Sequence, residues 1–293
     1  MVKRIAVACM VGLLAAIVLP ATYAQTPILG TARIDQNSSS FIDARFFDRD
    51  SSISDWEDNR TFSLGFSSPI NEKTEFDLVY SDHRALGMIE EDVFQTDREV
   101  LSPAIKRLIS ATDKNPALAF SIGADVAINP GRWSDDSGEY IEADDFTVGA
   151  KLQLEWGQPG AMQYQIAAAV ACFDSLMGVS YASPAAVTTA DREVIDGFGT
   201  ITSLGAGLVY PFSSFSFVGD FLIPVDGENV IKDEGYLDDV TVWSAGLRWG
   251  LGDRWGSSLN LYATNSMGPT LASSLLASPN NDIGYGITYS RGF

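Results

Sequence analysis

Histidine and cysteine are scarce in this 293-residue chain, which contains one histidine, His83, and two cysteines, Cys9 and Cys172. Zinc sites are built from several His or Cys ligands, so these counts exclude a metal centre of that kind. A histidine-activated hydrolase would have to use His83, and its sequence neighbours Ser81 and Asp82 do not indicate a catalytic relay by adjacency alone. We therefore predict no cofactor and no enzymatic activity.

Basic residues are few: 19 Lys and Arg stand against 38 Asp and Glu, which gives a net charge of −19. Phosphate groups would be repelled by such a chain, so nucleic acid is excluded as a partner.

The acidic residues gather in three predicted loops. They are Asp48, Asp50, Asp55, Glu57 and Asp58; Asp135, Asp136, Glu139, Glu142, Asp144 and Asp145; and Asp226, Glu228, Asp233, Glu234, Asp238 and Asp239. We interpret them as a solvated rim that attracts cations, and a Ca²⁺ or Mg²⁺ bridge to lipopolysaccharide is the alternative.

Long hydrophobic runs are missing beyond the N-terminus. Lys3 and Arg4 precede an apolar run over residues 5–19, and small residues end at Ala24, which is the pattern of a secretory signal cleaved after Ala24. We predict a signal peptide over 1–24 and one domain over 25–293. Cleavage would remove Cys9 and leave Cys172 without a disulfide partner. Since no later run reaches about 18 apolar residues, a membrane-embedded chain would have to cross as strands.

Alternating hydrophobicity is the strongest pattern that is present. Over residues 146–156, Phe146, Leu152 and Trp156 share one face with other apolar residues, whereas Lys151 and Glu155 lie on the other. Eleven residues suffice for a tilted strand to cross a bilayer. Similar runs occur at 41–47, 62–66, 76–80, 118–128, 162–170, 198–210, 215–223, 241–249, 259–264 and 283–293.

The connections between these runs alternate between short turns and long polar loops, as in barrels with short periplasmic turns and long acidic extracellular loops. We predict the long external loops at 49–60, 129–144, 173–197, 224–239 and 265–281. Parity requires a further strand, for which 101–110 is the best candidate, although Pro103 and its apolar spacing also fit a helix. The predicted fold class is all-β: a closed antiparallel transmembrane β-barrel of about 12 strands, with 10 to 14 as the range. Within 85–116, we predict a short amphipathic helix over 85–100.

The C-terminal run places Tyr285, Ile287, Tyr289 and Phe293 on one face and ends on an aromatic residue. This segment resembles the closing strand of bacterial outer-membrane β-barrel proteins of the porin-like type. Arg291 departs from the pattern, and we expect its long side chain to snorkel to the interface. The resemblance implies an outer-membrane location, contact with outer-membrane lipids and lipopolysaccharide, and an assembly signal read by the barrel-assembly machinery.

A soluble, secreted β-sandwich or lipocalin-like barrel is the alternative to a membrane barrel, because a water-facing sheet also alternates. The polar faces here are unusually small and uncharged for contact with water. Ala167, Ala169 and Ala171 on one strand and Ser203, Gly205 and Gly207 on another are examples. The composition of these faces favours the membrane barrel.

A barrel of about twelve strands is intermediate between filled eight-stranded and open sixteen-stranded barrels, and we expect its small inward residues to widen the pore. The residues that we predict to line its lumen are Asp77, Asp125, Lys151, Gln153, Glu155, Gln163, Gln165, Asp220, Arg248 and Asn260. Their charge is slightly negative, which predicts a narrow passive channel for small polar solutes or cations. Alternatively, Lys151, Glu155 and Arg248 pair across the lumen, and the protein is a structural or export-accessory barrel without conduction. A barrel hydrolase using His83 is a third hypothesis.

Overall fold

A computed structural model describes residues 26–34, 37–48, 58–89, 92–112, 115–129, 132–134, 140–142, 146–157, 161–173, 198–231, 237–251, 257–278 and 281–292. The regular secondary structure of the described residues is β-strand, apart from one short 3₁₀ turn at Ser273–Leu275. None of the described residues forms a helix long and apolar enough to cross a membrane.

Twelve strands close into one antiparallel barrel, in which each strand pairs with its neighbours along the chain. They are β1 (Ser39–Asp48), β2 (Asp58–Asn71), β3 (Thr74–Ile89), β4 (Asp92–Thr112), β5 (Asn115–Asn129), β8 (Phe146–Trp156), β9 (Gln163–Phe173), β10 (Gly199–Phe212), β11 (Phe215–Asp226), β14 (Val242–Gly250), β15 (Ser258–Thr264) and β16 (Gly284–Gly292). The first and last strands pair over nine residue positions, from Ser39 opposite Gly292 to Phe47 opposite Gly284, which closes the ring. The predicted fold class and strand number are confirmed.

Two small sheets lie outside the barrel wall: β6 (Arg132–Ser134) with β7 (Tyr140–Glu142), and β12 (Val230–Ile231) with β13 (Leu237–Asp238). The uncertain strand at 101–110 lies within β4. Pro103 sits where neither it nor Ser102 is paired with β5, while pairing holds on both sides at Leu101 and Ala104. A proline without an N–H is tolerated at such an interruption.

The helix predicted over 85–100 is wrong. Backbone pairing between β3 and β4 continues through this region, from Ala85 opposite Thr96 to Ile89 opposite Asp92. A hairpin that is already paired satisfies its backbone donors and acceptors by extending the ladder, whereas an isolated short helix has little stability in water. Tertiary pairing therefore overrides the helical spacing of the apolar residues.

The polarity of the two barrel faces is the reverse of that in a soluble protein, because the outer face is apolar and the inner face is polar. Outward side chains are large and apolar, as with Leu152 (45% exposed), Ile166 (48%) and Leu261 (55%). Inward side chains include buried ions and amides, such as Asp220 and Gln165. An apolar belt around a polar interior suits a barrel in lipid and would be unfavourable in water, so the soluble alternative does not describe this chain.

The interior is occupied by two segments of the chain itself. The N-terminal segment, residues 26–34, precedes β1. The loop segment between β15 and β16, described over 265–278 and 281–283, contains the 3₁₀ turn. Leu29 and Ala32 from the first segment and Leu275 from the second are fully buried. We expected 265–281 to be an external polar loop. That prediction is wrong, because polar groups of this segment find their partners within the lumen.

Aromatic rings on the inner face rely on glycines in neighbouring strands. The ring of Tyr262 lies over Gly286, where an added Cβ would overlap the ring carbon Cζ. At Gly250, in contrast, the only atom within 4 Å of an added Cβ, among the described residues other than its two chain neighbours, is the Ser214 carbonyl oxygen, at 3.9 Å. The closing strand β16 therefore needs glycine at 286 for packing rather than for backbone conformation.

We expect Gly286→Ala to destabilise the barrel by about 1–3 kcal/mol, because the methyl group must displace the Tyr262 ring from a well-packed interior. Gly250→Ala is the matched control and should change stability by less than about 0.5 kcal/mol. Urea titration of the folded protein in lipid vesicles, followed by tryptophan fluorescence, measures both. Equal effects would contradict this packing of Tyr262 over Gly286.

Candidate functional site in the barrel lumen

A cavity of about 150 Å³ remains between the two inserted segments and the barrel wall. It is bounded by residues of both segments and of strands β1 to β5, among other elements. Its charged lining consists of four carboxylates and three bases: Asp43, Glu75, Asp77 and Asp125, with Arg45, Lys106 and Lys151. The lining therefore carries a formal charge of −1.

Asp220 of β11 binds the main chain of the N-terminal segment. Its Oδ2 accepts hydrogen bonds from the backbone N–H groups of Ile28 and Leu29, both at 2.8 Å. Its Oδ1 accepts a hydrogen bond from the hydroxyl of Ser244. A buried carboxylate is stable only when its lone pairs are used in this way, so Asp220 and the segment stabilise each other.

Glu155 of β8 forms the second attachment. Its Oε2 accepts hydrogen bonds from the Thr31 hydroxyl at 2.6 Å and from the Ala32 N–H at 2.9 Å. Its Oε1 forms an ion pair with Nε of Arg33 at 3.0 Å. Arg33 also donates to the carbonyl of Gly157, in the β8–β9 turn, at 2.5 Å. These contacts fix residues 31–33 next to the short turns of the barrel.

Two lysines bind carbonyl groups of the same segment. Lys151 donates from Nζ to the carbonyl of Leu29. Lys106 contacts the carbonyl of Thr31 at 3.4 Å and forms an ion pair with Glu75 at 2.5 Å. The segment thus lies between carboxylates that bind its N–H groups and ammonium groups that bind its carbonyls.

Arg45 of β1 connects both inserted segments to the wall. Its Nε pairs with Asp43 at 2.8 Å, its Nη1 donates to the carbonyl of Ser266 at 3.0 Å, and its Nη2 donates to the carbonyl of Pro27 at 3.2 Å. Asp43 also accepts hydrogen bonds from the hydroxyls of Tyr262 and Thr288. The planar guanidinium donates hydrogen bonds in three directions at once, so this buried arginine is the junction between the wall and both inserted segments.

The loop segment is held by polar contacts at its tip. Thr270 donates to Asp125 at 2.7 Å, and its hydroxyl lies 2.7 Å from that of Ser273. Leu271 packs over Gly123 and Gly149, where an added Cβ would come within 3.2 and 3.1 Å of it. We expected small inward residues to widen the pore. They instead make room for side chains of the inserted segments.

The structure places the ten predicted lumen residues in four settings. Asp77, Asp125, Lys151 and Asn260 border the cavity, Glu155 and Asp220 bind the N-terminal segment, Gln153, Gln163 and Gln165 are buried on the inner face, and Arg248 is half-buried. Gln165 accepts from Gln153 and donates to the Thr26 hydroxyl. Arg248 Nη1 has no hydrogen-bond partner among the described residues.

The proposed pairing of Lys151, Glu155 and Arg248 across the lumen is wrong. Glu155 instead pairs with Arg33, and Lys151 binds the carbonyl of Leu29. The reason is that the N-terminal segment supplies nearer partners than the opposite wall does. The lumen is filled, as that alternative required, but by inserted chain rather than by wall-to-wall ion pairs.

Sequence reasoning missed Asp43, Arg45, Glu75 and Lys106. A usable signal existed in β1, where Asp43 and Arg45 alternate with Ile42, Ala44 and Phe46, so that the charges fall on the face opposite three apolar residues. Glu75 is likewise two residues from Asp77, which was recognised. The inserted segments carried no such signal, because neither alternates.

His83 is buried inside the barrel, because β3 continues beyond the predicted run at 76–80 and ends at Ile89. Its Nδ1 is 3.0 Å from the hydroxyl of Thr61, which donates to the carbonyl of Met267 at 3.0 Å. Ser81, on the same inner face, pairs its hydroxyl with that of Ser63 at 2.8 Å. These contacts join His83 to the loop segment and do not join it to Ser81.

Only some of the outer features predicted from the sequence fall within the described residues. Tyr285 and Ile287 of the closing strand point outward, whereas Phe293 lies outside the described ranges. Arg291 does not snorkel: its side chain is buried, at 1% exposure. Most of the acidic loop residues also lie outside those ranges. Within the ranges, no group of three or more His, Cys, Asp or Glu residues is placed to hold a metal ion.

Comparisons with known proteins identify the fold. No protein-family model matches the sequence, and a search of curated proteins gives no significant match. Among solved structures, an outer membrane channel from Pseudomonas putida F1 aligns over 94% of this chain and 100% of its own, with a TM-score of 0.51 and 11% identity. A toluene transporter from P. putida aligns over 94% and 96% (TM-score 0.45, 8% identity). The outer membrane phospholipase A of Escherichia coli aligns over 88% and 92% (TM-score 0.44, 9% identity).

The likeness to the channel and the closed ring of twelve strands agree on the architecture, and the apolar belt agrees with the predicted outer-membrane location. The chain has the fold of the bacterial outer-membrane β-barrels.

Proposed function

We propose that the protein is an outer-membrane channel for passive diffusion of small polar solutes or cations, closed in this state by the N-terminal segment and the loop segment. The observation that supports this proposal is the type of contact that holds the inserted segments in the lumen. Among the described residues, the N-terminal segment is attached to the wall by hydrogen bonds and by one ion pair, Arg33 with Glu155, which is partly accessible to solvent. Contacts of this kind are reversible, unlike a lumen filled by the wall's own side chains.

The charge of the lining supports the preference for cations. Four carboxylates and three bases face the cavity. Asp43 and Glu75 pair with Arg45 and Lys106, whereas Asp77 has no hydrogen-bond or ion-pair partner among the described residues. An inward carboxylate of this type attracts cations to the pathway once the segments leave.

A non-conducting structural or export-accessory barrel is the competing function, and the filled lumen is the observation that favours it. The contacts of His83 with Thr61 favour a structural role for this residue over the hydrolase hypothesis. Conductance separates the channel from the structural barrel.

We expect Gly30→Val to increase channel opening in planar bilayers. Gly30 has a φ of +71°, and the space around it is open, with the Lys151 Nζ at 4.0 Å from an added Cβ. A β-branched residue is strained at this φ by about 1–2 kcal/mol, which should loosen the segment and raise the open fraction by roughly tenfold. Single-channel recording in a KCl gradient measures opening and, from the reversal potential, cation preference.

Gly30→Asn is the matched control, because asparagine adopts positive φ more readily and should behave like the native protein. Silence of the native protein and of Gly30→Val at all voltages would refute the channel and favour the structural barrel. Equal opening of the valine and asparagine variants would show that the N-terminal segment does not close the pathway.

A further inference from the structure

The contacts of the N-terminal segment are directed mainly at its backbone. Six main-chain groups on residues 27–32 are bound by charged wall side chains: the N–H groups of Ile28, Leu29 and Ala32 and the carbonyls of Pro27, Leu29 and Thr31. The wall residues are two carboxylates, Asp220 and Glu155, and three bases, Arg45, Lys151 and Lys106. Any peptide carries the same backbone groups.

The side chains of the segment contribute less specific contacts. Ile28 and Leu29 belong to the main apolar cluster of the lumen, and Ala32 packs against Ala117 and Ala119. Among the described residues, the polar side-chain contacts of the segment with the wall are those of Thr26 with Gln165, of Thr31 with Glu155, and of Arg33 with Glu155 and the carbonyl of Gly157. The middle of the segment is therefore recognised by its backbone and by small apolar contacts.

We propose that these wall residues form a binding site for short peptides, which enter in place of the N-terminal segment when it leaves. This inference rests on the proposed channel function and names a substrate class for it. Carboxylates that bind peptide N–H groups and bases that bind peptide carbonyls recognise a backbone with little dependence on sequence, as in other main-chain-directed peptide sites. In the bound segment this backbone forms a turn closed by the bridge between Thr26 and Gly30. The inward charges then have a role in both states, since they bind the chain's own segment or an incoming peptide.

The native segment competes strongly with a free peptide. A segment joined to the barrel by a short linker acts at an effective concentration in the millimolar range. A peptide added to the native protein should consequently bind weakly. Gly30→Val weakens the competitor and leaves every wall residue unchanged, which makes it the receptor of choice for a binding experiment.

The probe is a synthetic peptide with the sequence of residues 26–34, TPILGTARI, carrying a fluorophore at its C-terminus. Fluorescence anisotropy in detergent micelles measures its binding to the full-length protein. We expect saturable binding to Gly30→Val that is at least about tenfold tighter than binding to the native protein, because the competing segment is weakened. Replacing the Ile28 and Leu29 positions of the peptide by apolar residues of similar volume should change the affinity by less than about tenfold, since their buried side chains make apolar contacts and the polar contacts are to the backbone.

Two further measurements test the role of the backbone. A peptide N-methylated at the Ile28 and Leu29 positions lacks both donors to Asp220 and should bind at least about tenfold more weakly. Asp220→Asn in the Gly30→Val protein should have a similar effect, and the N-methylated peptide gives the same information without altering the barrel. Absence of saturable binding to Gly30→Val, or binding that N-methylation leaves unchanged, would overturn the proposal.

The peptide site and the channel function can be refuted independently of each other. Anisotropy needs no ion current, and opening of the channel in KCl needs no peptide. A protein that conducts but does not bind the peptide refutes the peptide site and leaves the channel in place. A protein that is silent in bilayers refutes the channel, whatever the anisotropy.

Discussion

Leu152→Lys is expected to lower the stability of the barrel in lipid by about 2–4 kcal/mol, as a lysine near the middle of the membrane does on the lipid face of other barrels. Leu152 belongs to β8 and is 45% exposed on the outer face, and its neighbours across the sheet, Phe120 and Ala168, are exposed on the same side. The penalty arises because an ammonium group at this place must lose water or deform the bilayer.

Two comparisons isolate the effect of the face. Leu152→Phe keeps an apolar side chain at the same position and should change stability by less than about 1 kcal/mol. Ser67→Lys places the same charge inside the lumen, at the border of the cavity and opposite Asp77 in the β2–β3 ladder. We expect Ser67→Lys to cost clearly less than Leu152→Lys, since the cavity has room and a carboxylate is close.

Reversible unfolding in urea from lipid vesicles gives all three free energies. Equal losses for Leu152→Lys and Leu152→Phe would contradict a hydrocarbon environment for this face. A soluble barrel would show a different pattern, in which Leu152→Lys is harmless, because an exposed lysine in water carries no such penalty.

The strands of the barrel wall could be predicted from the sequence, whereas the two segments that fill the lumen could not. Period-two alternation in segments such as Phe146–Trp156 reports which side chains share a face, so the polarity of each face and eleven of the strands followed from local pattern. Parity supplied the twelfth strand. Asp77, Lys151, Glu155 and Asp220 were placed inward on that basis. Local alternation holds wherever a strand is paired on both sides, as it is around the whole ring.

The inserted segments depend on long-range contacts that no local pattern encodes. The segment over 26–34 is bound by residues more than 120 positions away, such as Glu155 and Asp220. The only sequence signal for this segment was the composition of the predicted lumen. It contains more small and charged inward residues than an empty narrow pore requires. The alanines of β9, for example, pack with Leu275 and Leu276 in one cluster. Small inward residues on several strands indicate an internal occupant as readily as they indicate a wide opening.

Arg45→Met is the second change with a large expected effect, because it removes the junction between the wall and both segments. The side chain of Arg45 is completely buried, and it pairs with Asp43 and with the carbonyls of Pro27 and Ser266. Loss of one partner of a buried ion pair leaves an uncompensated charge, and we expect a destabilisation of about 3–5 kcal/mol. The same unfolding experiment in vesicles measures it.

The double variant Asp43→Asn, Arg45→Met is the control for the unpaired charge, and it should be less destabilised than Arg45→Met alone. Both variants lack the contacts to Pro27 and Ser266, so hydrogen exchange should rise together in peptides covering 26–34 and 265–278. Gly30→Val, in contrast, should raise exchange in 26–34 and leave 265–278 close to native. If hydrogen exchange rises in only one segment when Arg45 is replaced, the two segments move independently. Opening of the lumen would then not require the coordinated release of both segments that the Arg45 junction implies.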